Sequence, residues 1–268
     1  MSGTSLWLIP AIKRRIRENR NFIAIFTGDT GSGKSWAAIR LAELIDPSFN
    51  ADRIVFTVQD FMHLINSPMT KGSVIIFDDA GLGINAREWQ KTAQKLFSMV
   101  MQGFRYKQIN VFFTVPKLFM IDRQSRALAH MHFMTTNIQG SLKMYVIREN
   151  KYNPDQPLEM FPKIHRSGHT VVIKIVRFAK PSSKLADKYE TNKHEYMDSL
   201  FQGYEKEILE KNKQSKNKEE NKDLKSEKLK QIICKMHENG NSERGIATIT
   251  GIPHSTIHRI VAEGRGGI

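Results

Sequence analysis

The chain has 268 residues, 41 Lys+Arg against 27 Asp+Glu, a formal net charge of +14, and 40% hydrophobic residues. A mean hydropathy of -0.42 and the lack of any apolar run of about 18 residues exclude an integral helical membrane protein, and the apolar content excludes a wholly disordered chain. A single cysteine, Cys234, excludes an intrachain disulfide framework and any multi-cysteine zinc site, and it points to a reducing compartment.

The charge sits in patches. Residues 1–20 carry five basic and one acidic side chain, 163–188 carry seven and one, and 206–230 carry nine and six. These 71 residues supply +13 of the +14. A concentrated basic excess is an electrostatic footprint for a polyanion, nucleic acid first. For the mixed Lys/Glu stretch 206–230, solvated surface is the preferred reading.

In chain order, residues 7–17 (Trp-Leu-Ile-Pro-Ala-Ile-Lys-Arg-Arg-Ile-Arg) pair apolar with basic groups. Such a segment suits DNA, a neighbouring subunit or a membrane surface, with Pro10 and the short length placing the membrane last. Residues 22–27 are a short apolar run ending in a glycine-rich turn, a buried strand. A helical pattern follows over 34–45, with Trp36, Ile39, Ala42 and Ile45 on one face. Further strands are expected at 53–57, 73–77 and 110–115, with helices near 58–66 and 86–104. Apolar strands alternating with helices predict an α/β fold whose mostly parallel sheet is covered on both faces.

Beyond Pro116 the rhythm changes. Residues 131–136, 142–149 and 170–178 read as strands added antiparallel at the sheet edge, the last alternating basic and apolar side chains. A helix over 183–210 follows. Residues 211–223 (KNKQSKNKEENKD) contain no apolar side chain and read as a linker or an exposed helix extension. The expected domains are a basic N-terminal segment (1–20), an α/β domain (21–205), a charged linker (206–223) and a small all-α domain (224–268).

Residues 28–35, Gly-Asp-Thr-Gly-Ser-Gly-Lys-Ser, complete the pattern G-x-x-x-x-G-K-[ST] between an expected strand and an expected helix. Gly28, Gly31 and Gly33 let the backbone curl with its N–H groups inward, and the helix dipole points at the same place. Asp29, Thr30, Ser32 and Trp36 complete the predicted nucleotide contacts. Lys34 is placed to reach the β- and γ-phosphates and Ser35 to ligate Mg²⁺. From average residue usage, a chance match in a chain of this length is on the order of 1 in 100.

The third expected strand ends in Asp78 and Asp79, at the edge where ligands of open α/β sheets bind. Asp78 is the predicted Mg²⁺ partner through water, and Asp79 the group that orients attacking water. The substrate expected is Mg-ATP. Small-molecule kinases share the loop, but the second acid and the basic additions favour hydrolysis coupled to mechanical work.

Residues 96–105 (Leu-Phe-Ser-Met-Val-Met-Gln-Gly-Phe-Arg) read as a helix with a basic end. They are followed by 108–116 (Gln-Ile-Asn-Val-Phe-Phe-Thr-Val-Pro) and 121–126 (Ile-Asp-Arg-Gln-Ser-Arg). This order, with the glycine loop of 28–35 (Walker A) and the strand ending in Asp78 and Asp79 (Walker B), resembles the FtsK/HerA-like branch of P-loop ATPases over roughly 22–140, including DNA translocases, conjugative coupling proteins and viral packaging ATPases. The small ATPases of archaeal viruses and plasmids and the Zot-like ATPases of filamentous phages resemble it most. Val115 stands where a glutamine is usual, and Asp79 where a glutamate is common. The resemblance implies Thr114 as γ-phosphate sensor and a homo-oligomeric ring, pentameric or hexameric. It also implies a neighbour's arginine at the transition state, with Arg105, Arg123 and Arg126 as candidates. The location it suggests is cytoplasmic, a host's cytoplasm if the chain is viral, with no stable membrane insertion.

Residues 243–262 resemble a helix-turn-helix. Ala247 is small where helices approach, Gly251 sits where the turn needs positive φ, and Ile246, Ile252, Ile257 and Ile260 form the buried face. Leu229, Ile232, Ile233 and Met236 give a preceding helix its apolar stripe. His254, Ser255, Thr256, His258 and Arg259 are the predicted DNA contacts, with a protein-docking role as the competing reading. No metal site is expected at the two histidines. Lys174 and Arg177, with Lys180 and Lys184, are placed to track DNA phosphates without reading bases.

The function expected is an ATP-hydrolysing DNA motor for translocation, packaging or mobilisation. The alternatives are a nucleotide-switched DNA-binding regulator or partition protein, and a Zot-like virion assembly ATPase. The last ranks lowest because that class normally carries a transmembrane segment.

Overall fold

The computed structural model describes residues 5–78, 107–121, 123–153, 156–166 and 168–265. Asp79, Arg105 and the helix expected at 86–104 lie outside the described residues. The first elements are α1 (Ser5–Arg17), β1 (Ile23–Thr27), α2 (Lys34–Ile45), β2 (Ile54–Val55), α3 (Val58–Asn66), β3 (Val74–Phe77) and β4 (Asn110–Val115). Then come α4 (Arg123–Leu128), β5 (Met131–Thr135), β6 (Ser141–Arg148), β7 (Leu158–Met160), β8 (Lys163–Arg166), β9 (His169–Val172) and β10 (Ile175–Arg177). Three helices end the chain: α5 (Ser183–Glu238), α6 (Glu243–Thr250) and α7 (His254–Arg265).

The sheet runs β10-β6-β5-β1-β4-β3-β2, with β7 also paired to β6. From β5 to β2 all neighbours are parallel, whereas β6, β7 and β10 are antiparallel additions. This is the mixed α/β architecture expected. Apolar runs such as Ile23–Thr27 form its strands because both faces are buried, so no polar alternation is needed. On one face Ala24, Phe26, Val74, Ile76 and Phe112 pack with Leu8, Ile12 and the apolar side of α2. On the other, Ile23, Ile25, Ile75, Phe77, Val111 and Phe113 pack with Phe61 of α3. The two sets alternate along each strand, as the pleat requires.

Some segments differ from expectation. The stretch 170–178 forms two strands, because β9 pairs with β8 in a separate two-stranded sheet while β10 pairs with β6. Residues 7–17 belong to α1, whose Leu8 and Ile12 are buried in the core of their own unit. Residues 206–223, expected as a charged linker, lie within α5, a helix of 56 residues, which agrees with the other reading of 211–223 as a helix extension. Lys, Glu and Gln lose little rotamer freedom in a helix, so 211–223, without an apolar side chain, still supports one.

By contacts the chain divides into a unit of residues 1–198 and a unit of 199–268, and the division falls within α5. In the second unit Ile233, Ile246, Ile257, Ile260 and Val261 form the core, with Ile252 and Met236 packed against it. Leu229 and Ile232, expected on the same stripe, are exposed. Gly251 adopts φ 70° after α6, the left-handed conformation its position called for. Among the described residues no helix is long and apolar enough to cross a membrane.

Candidate phosphate-binding site

Residues 28–33 connect β1 to α2. The loop begins with Gly28 N–H donating to Pro116 O at 3.2 Å, which ties it to the end of β4. A Cβ at Gly28 would lie 1.9 Å from Thr135 Oγ1 and 2.5 Å from Ser32 Oγ, so the position admits no side chain. Gly31 and Gly33 have φ 76° and 87°, a region that L side chains rarely adopt. The turn therefore selects glycine by close approach once and by backbone conformation twice.

The same turn leaves donors in need of an acceptor. Gly33 caps α2 and provides no side-chain hydrogen bond to it, so no side chain at that cap satisfies the first N–H groups of the helix. Ser32 Oγ is buried with no hydrogen-bond partner among the described residues. Lys34 and Ser35, the first residues of α2, are 5% and 6% exposed. Backbone donors, a helix dipole and a lysine converging on one spot fit a phosphate group.

The acid lies across the sheet edge. Parallel pairing sets Phe77 beside Phe113 and Phe26 beside Thr114, so the strand carrying Thr114 separates the glycine loop from Asp78. The Asp78 side chain is 0% exposed. Its Oδ1 accepts a hydrogen bond from Thr114 Oγ1 at 2.7 Å. Its Oδ2 accepts from the Tyr189 hydroxyl at 2.7 Å and from Lys193 Nζ at 3.2 Å. Lys193 Nζ also donates to the Tyr189 oxygen at 3.0 Å. Burial first, and then the Asp78 charge, push the Tyr189 phenol far above its ordinary range, so it acts as a neutral donor.

A cavity of about 520 Å³ opens on this arrangement. The glycine loop and α2 form one wall through Thr30, Gly31, Gly33, Lys34, Ser35 and Trp36. Gly140, Phe178, Lys180, Tyr189 and Lys193 are part of the other. Lys180 Nζ lies 5.4 Å from the centre of the Trp36 ring, a cation–π contact across the cavity mouth. Asp29 is exposed and pairs with Lys117, whose hydrogen bond and charge hold the carboxyl below its usual range.

The sequence-predicted residues thus fall into groups. Lys34 and Ser35 line the cavity, and Asp78, held by Thr114, is joined to that lining through Tyr189 and Lys193. Arg123 is exposed at the start of α4, while Arg126 is half-buried and its Nε makes no hydrogen bond among the described residues. Lys174 and Arg177 are exposed beside and on β10, Lys174 lying 6.0 Å from the Phe161 ring centre. On α7, His258 Nδ1 lies 2.9 Å from Glu243 Oε2 and His254 Nε2 lies 3.7 Å from it. Ser255 and Arg259 face solvent, and Thr256 is half-exposed. Tyr189 and Lys193 carry no expectation from the sequence, and Lys180, expected at DNA phosphates, lines this cavity. Tyr189 and Lys193 are 111 and 115 positions from Asp78, and only their one-turn spacing on a helix, with Tyr189 as an aromatic among charges, marks them locally.

No family model matches the chain, nor does any curated protein sequence. Among solved structures, it is similar to the N-terminal domain of zonular occludens toxin from Neisseria meningitidis. The identity is 17% and the TM-score 0.34, over 55% of this chain and 96% of that one. It is also similar to EssC (ATPases 2 and 3) from Geobacillus thermodenitrificans, at 11% identity and TM-score 0.35, over 69% of this chain and 44% of that one. Both likenesses are loose, and the chemistry of the site rests on its own residues.

Proposed function

We propose that this chain binds Mg-ATP at residues 28–35, hydrolyses it, and couples hydrolysis to work on duplex DNA as a homo-oligomeric ring. The observation that carries the first part is a cavity lined by Gly31, Gly33, Lys34 and Ser35 at a helix N-terminus without a side-chain cap, with the buried Asp78 bonded to Tyr189 and Lys193 of the same lining. Magnesium, when held by Ser35 and Asp78, supplies neutralising charge for phosphoryl transfer.

The chain's own groups do the rest. The loop N–H groups and Lys34 bind and orient the phosphates. Thr114 fixes the rotamer of Asp78 through its 2.7 Å hydrogen bond. Asp79 is the group assigned to align water, and Arg105, Arg123 or Arg126 is assigned to the site of a neighbouring copy.

Support for DNA comes from charge and exposure. Lys163, Lys174, Arg177 and Lys184 are exposed within the most basic stretch of the chain. The helical unit α6–α7 presents Ser255 and Arg259 to solvent. Groups of this kind contact phosphates whatever the base sequence. The test is steady-state ATP hydrolysis with and without duplex DNA, in the wild type and in Lys34→Ala. DNA is expected to stimulate turnover, and Lys34→Ala to abolish it. Tight sequence-specific DNA binding with turnover indifferent to DNA would favour a nucleotide-switched regulator instead.

A further inference from the structure

The carboxylate assigned to the metal, Asp78, already has partners from α5. Oδ2 of Asp78 has two lone pairs, and the Tyr189 hydroxyl at 2.7 Å and Lys193 Nζ at 3.2 Å use both. Tyr189 and Lys193 line the same cavity as Ser35, the other residue that would hold Mg²⁺. Lys193 brings a positive charge beside the carboxylate, where a divalent cation would meet like-charge repulsion.

We propose that Tyr189 and Lys193 form a plug at the metal position, which Mg²⁺ must displace from Asp78. The inference rests on the reading of residues 28–35 as a nucleotide site. The two plug residues are four apart on α5 and hydrogen-bond each other at 3.0 Å, so they sit on one face and withdraw together. The grip of α5 near the site includes Leu185, Ala186 and Tyr189 in the core and the stacking of Tyr196 on Phe56 at 4.9 Å. Magnesium binding and docking of this helix segment therefore compete for the same oxygen atoms, and each weakens the other by the same factor. The alternative role, direct binding of nucleotide phosphate by Lys193, makes the opposite demand, since removing the lysine then weakens nucleotide with or without metal.

The test is the equilibrium affinity of the full chain for ATP, measured by titration calorimetry in Mg²⁺ and again in EDTA. Lys193→Met is expected to tighten binding in Mg²⁺ on the order of 10-fold and to leave the EDTA value unchanged. Tyr189→Phe keeps the ring in the core and removes one hydroxyl, so it should shift the Mg²⁺ value the same way by less, even where Lys193→Met fails to fold. Parallel loss of affinity in both conditions overturns the plug and makes Lys193 a phosphate ligand. No change in either variant also overturns it. A wild-type chain that binds ATP in neither condition overturns the nucleotide site itself, and the plug with it.

Discussion

The two units of the chain hold themselves together with different resources. The first encloses a sheet between two apolar layers and fully buries Phe26, Phe61, Phe77, Phe112, Phe113 and Phe133. The second has one small core of Ile233, Ile246, Ile257, Ile260 and Val261. The contrast explains where each kind of chemistry sits. A carboxylate as buried as Asp78 needs a scaffold that supplies Thr114, Tyr189 and Lys193 at fixed distances, because an unpaired buried charge is costly. The polar groups of α7 are exposed and require only a surface.

Core truncations in each unit test that contrast, and the largest effect belongs to the first. Phe112→Ala removes a ring that contacts both Phe22 and Phe26, and should cost about 3–5 kcal/mol in denaturant unfolding. Ile257→Ala should cost about 2–5 kcal/mol, confined to unfolding of residues 199–268. Nucleotide binding should then survive unfolding of the second unit. Loss of ATP affinity in step with that transition would break the comparison.

Acid should weaken the first unit through His130. Burial, with the Arg15 guanidinium beside it, holds this imidazole at about 4, against an ordinary 6.5. The unfolded chain therefore takes up the proton first as pH falls. Stability from this group is complete above pH 6.5 and declines toward pH 4, by about 3 kcal/mol in total at ~1.4 kcal/mol per pH unit. His130→Gln should flatten that part of the profile, and an unchanged slope would assign it to other groups.

The smallest effect lies at the start of α6. Ser242 Oγ accepts a hydrogen bond from Gly245 N–H at 3.2 Å, and Ser242→Ala should cost about 1 kcal/mol in the second unit alone.

The parts legible from the amino-acid sequence were those with a local cause. Continuous apolar runs marked β1, β3 and β4, and the glycine pattern of 28–33 marked the turn between β1 and α2. Gly251 was legible because a helix-ending turn needs positive φ. What escaped depends on partners distant in the chain. The stretch 170–178 keeps one β-like pattern while its two halves pair with β8 and β6. The apolar residues of 7–17 suited several surfaces, and Leu8 and Ile12 meet the core of their own unit. Tyr189 and Lys193 acquire their role only when α5 folds against a carboxylate more than a hundred residues earlier.

The central claim is that residues 28–35 hold a nucleotide whose γ-phosphate this chain releases. Phosphate release from ATP in Mg²⁺, compared between the wild type and Lys34→Ala at equal folded concentration, tests it most directly. The account predicts turnover in the wild type and a fall of at least about 10²-fold in the variant, the scale for losing one charge-stabilising donor. Equal phosphate release by the two chains would contradict it.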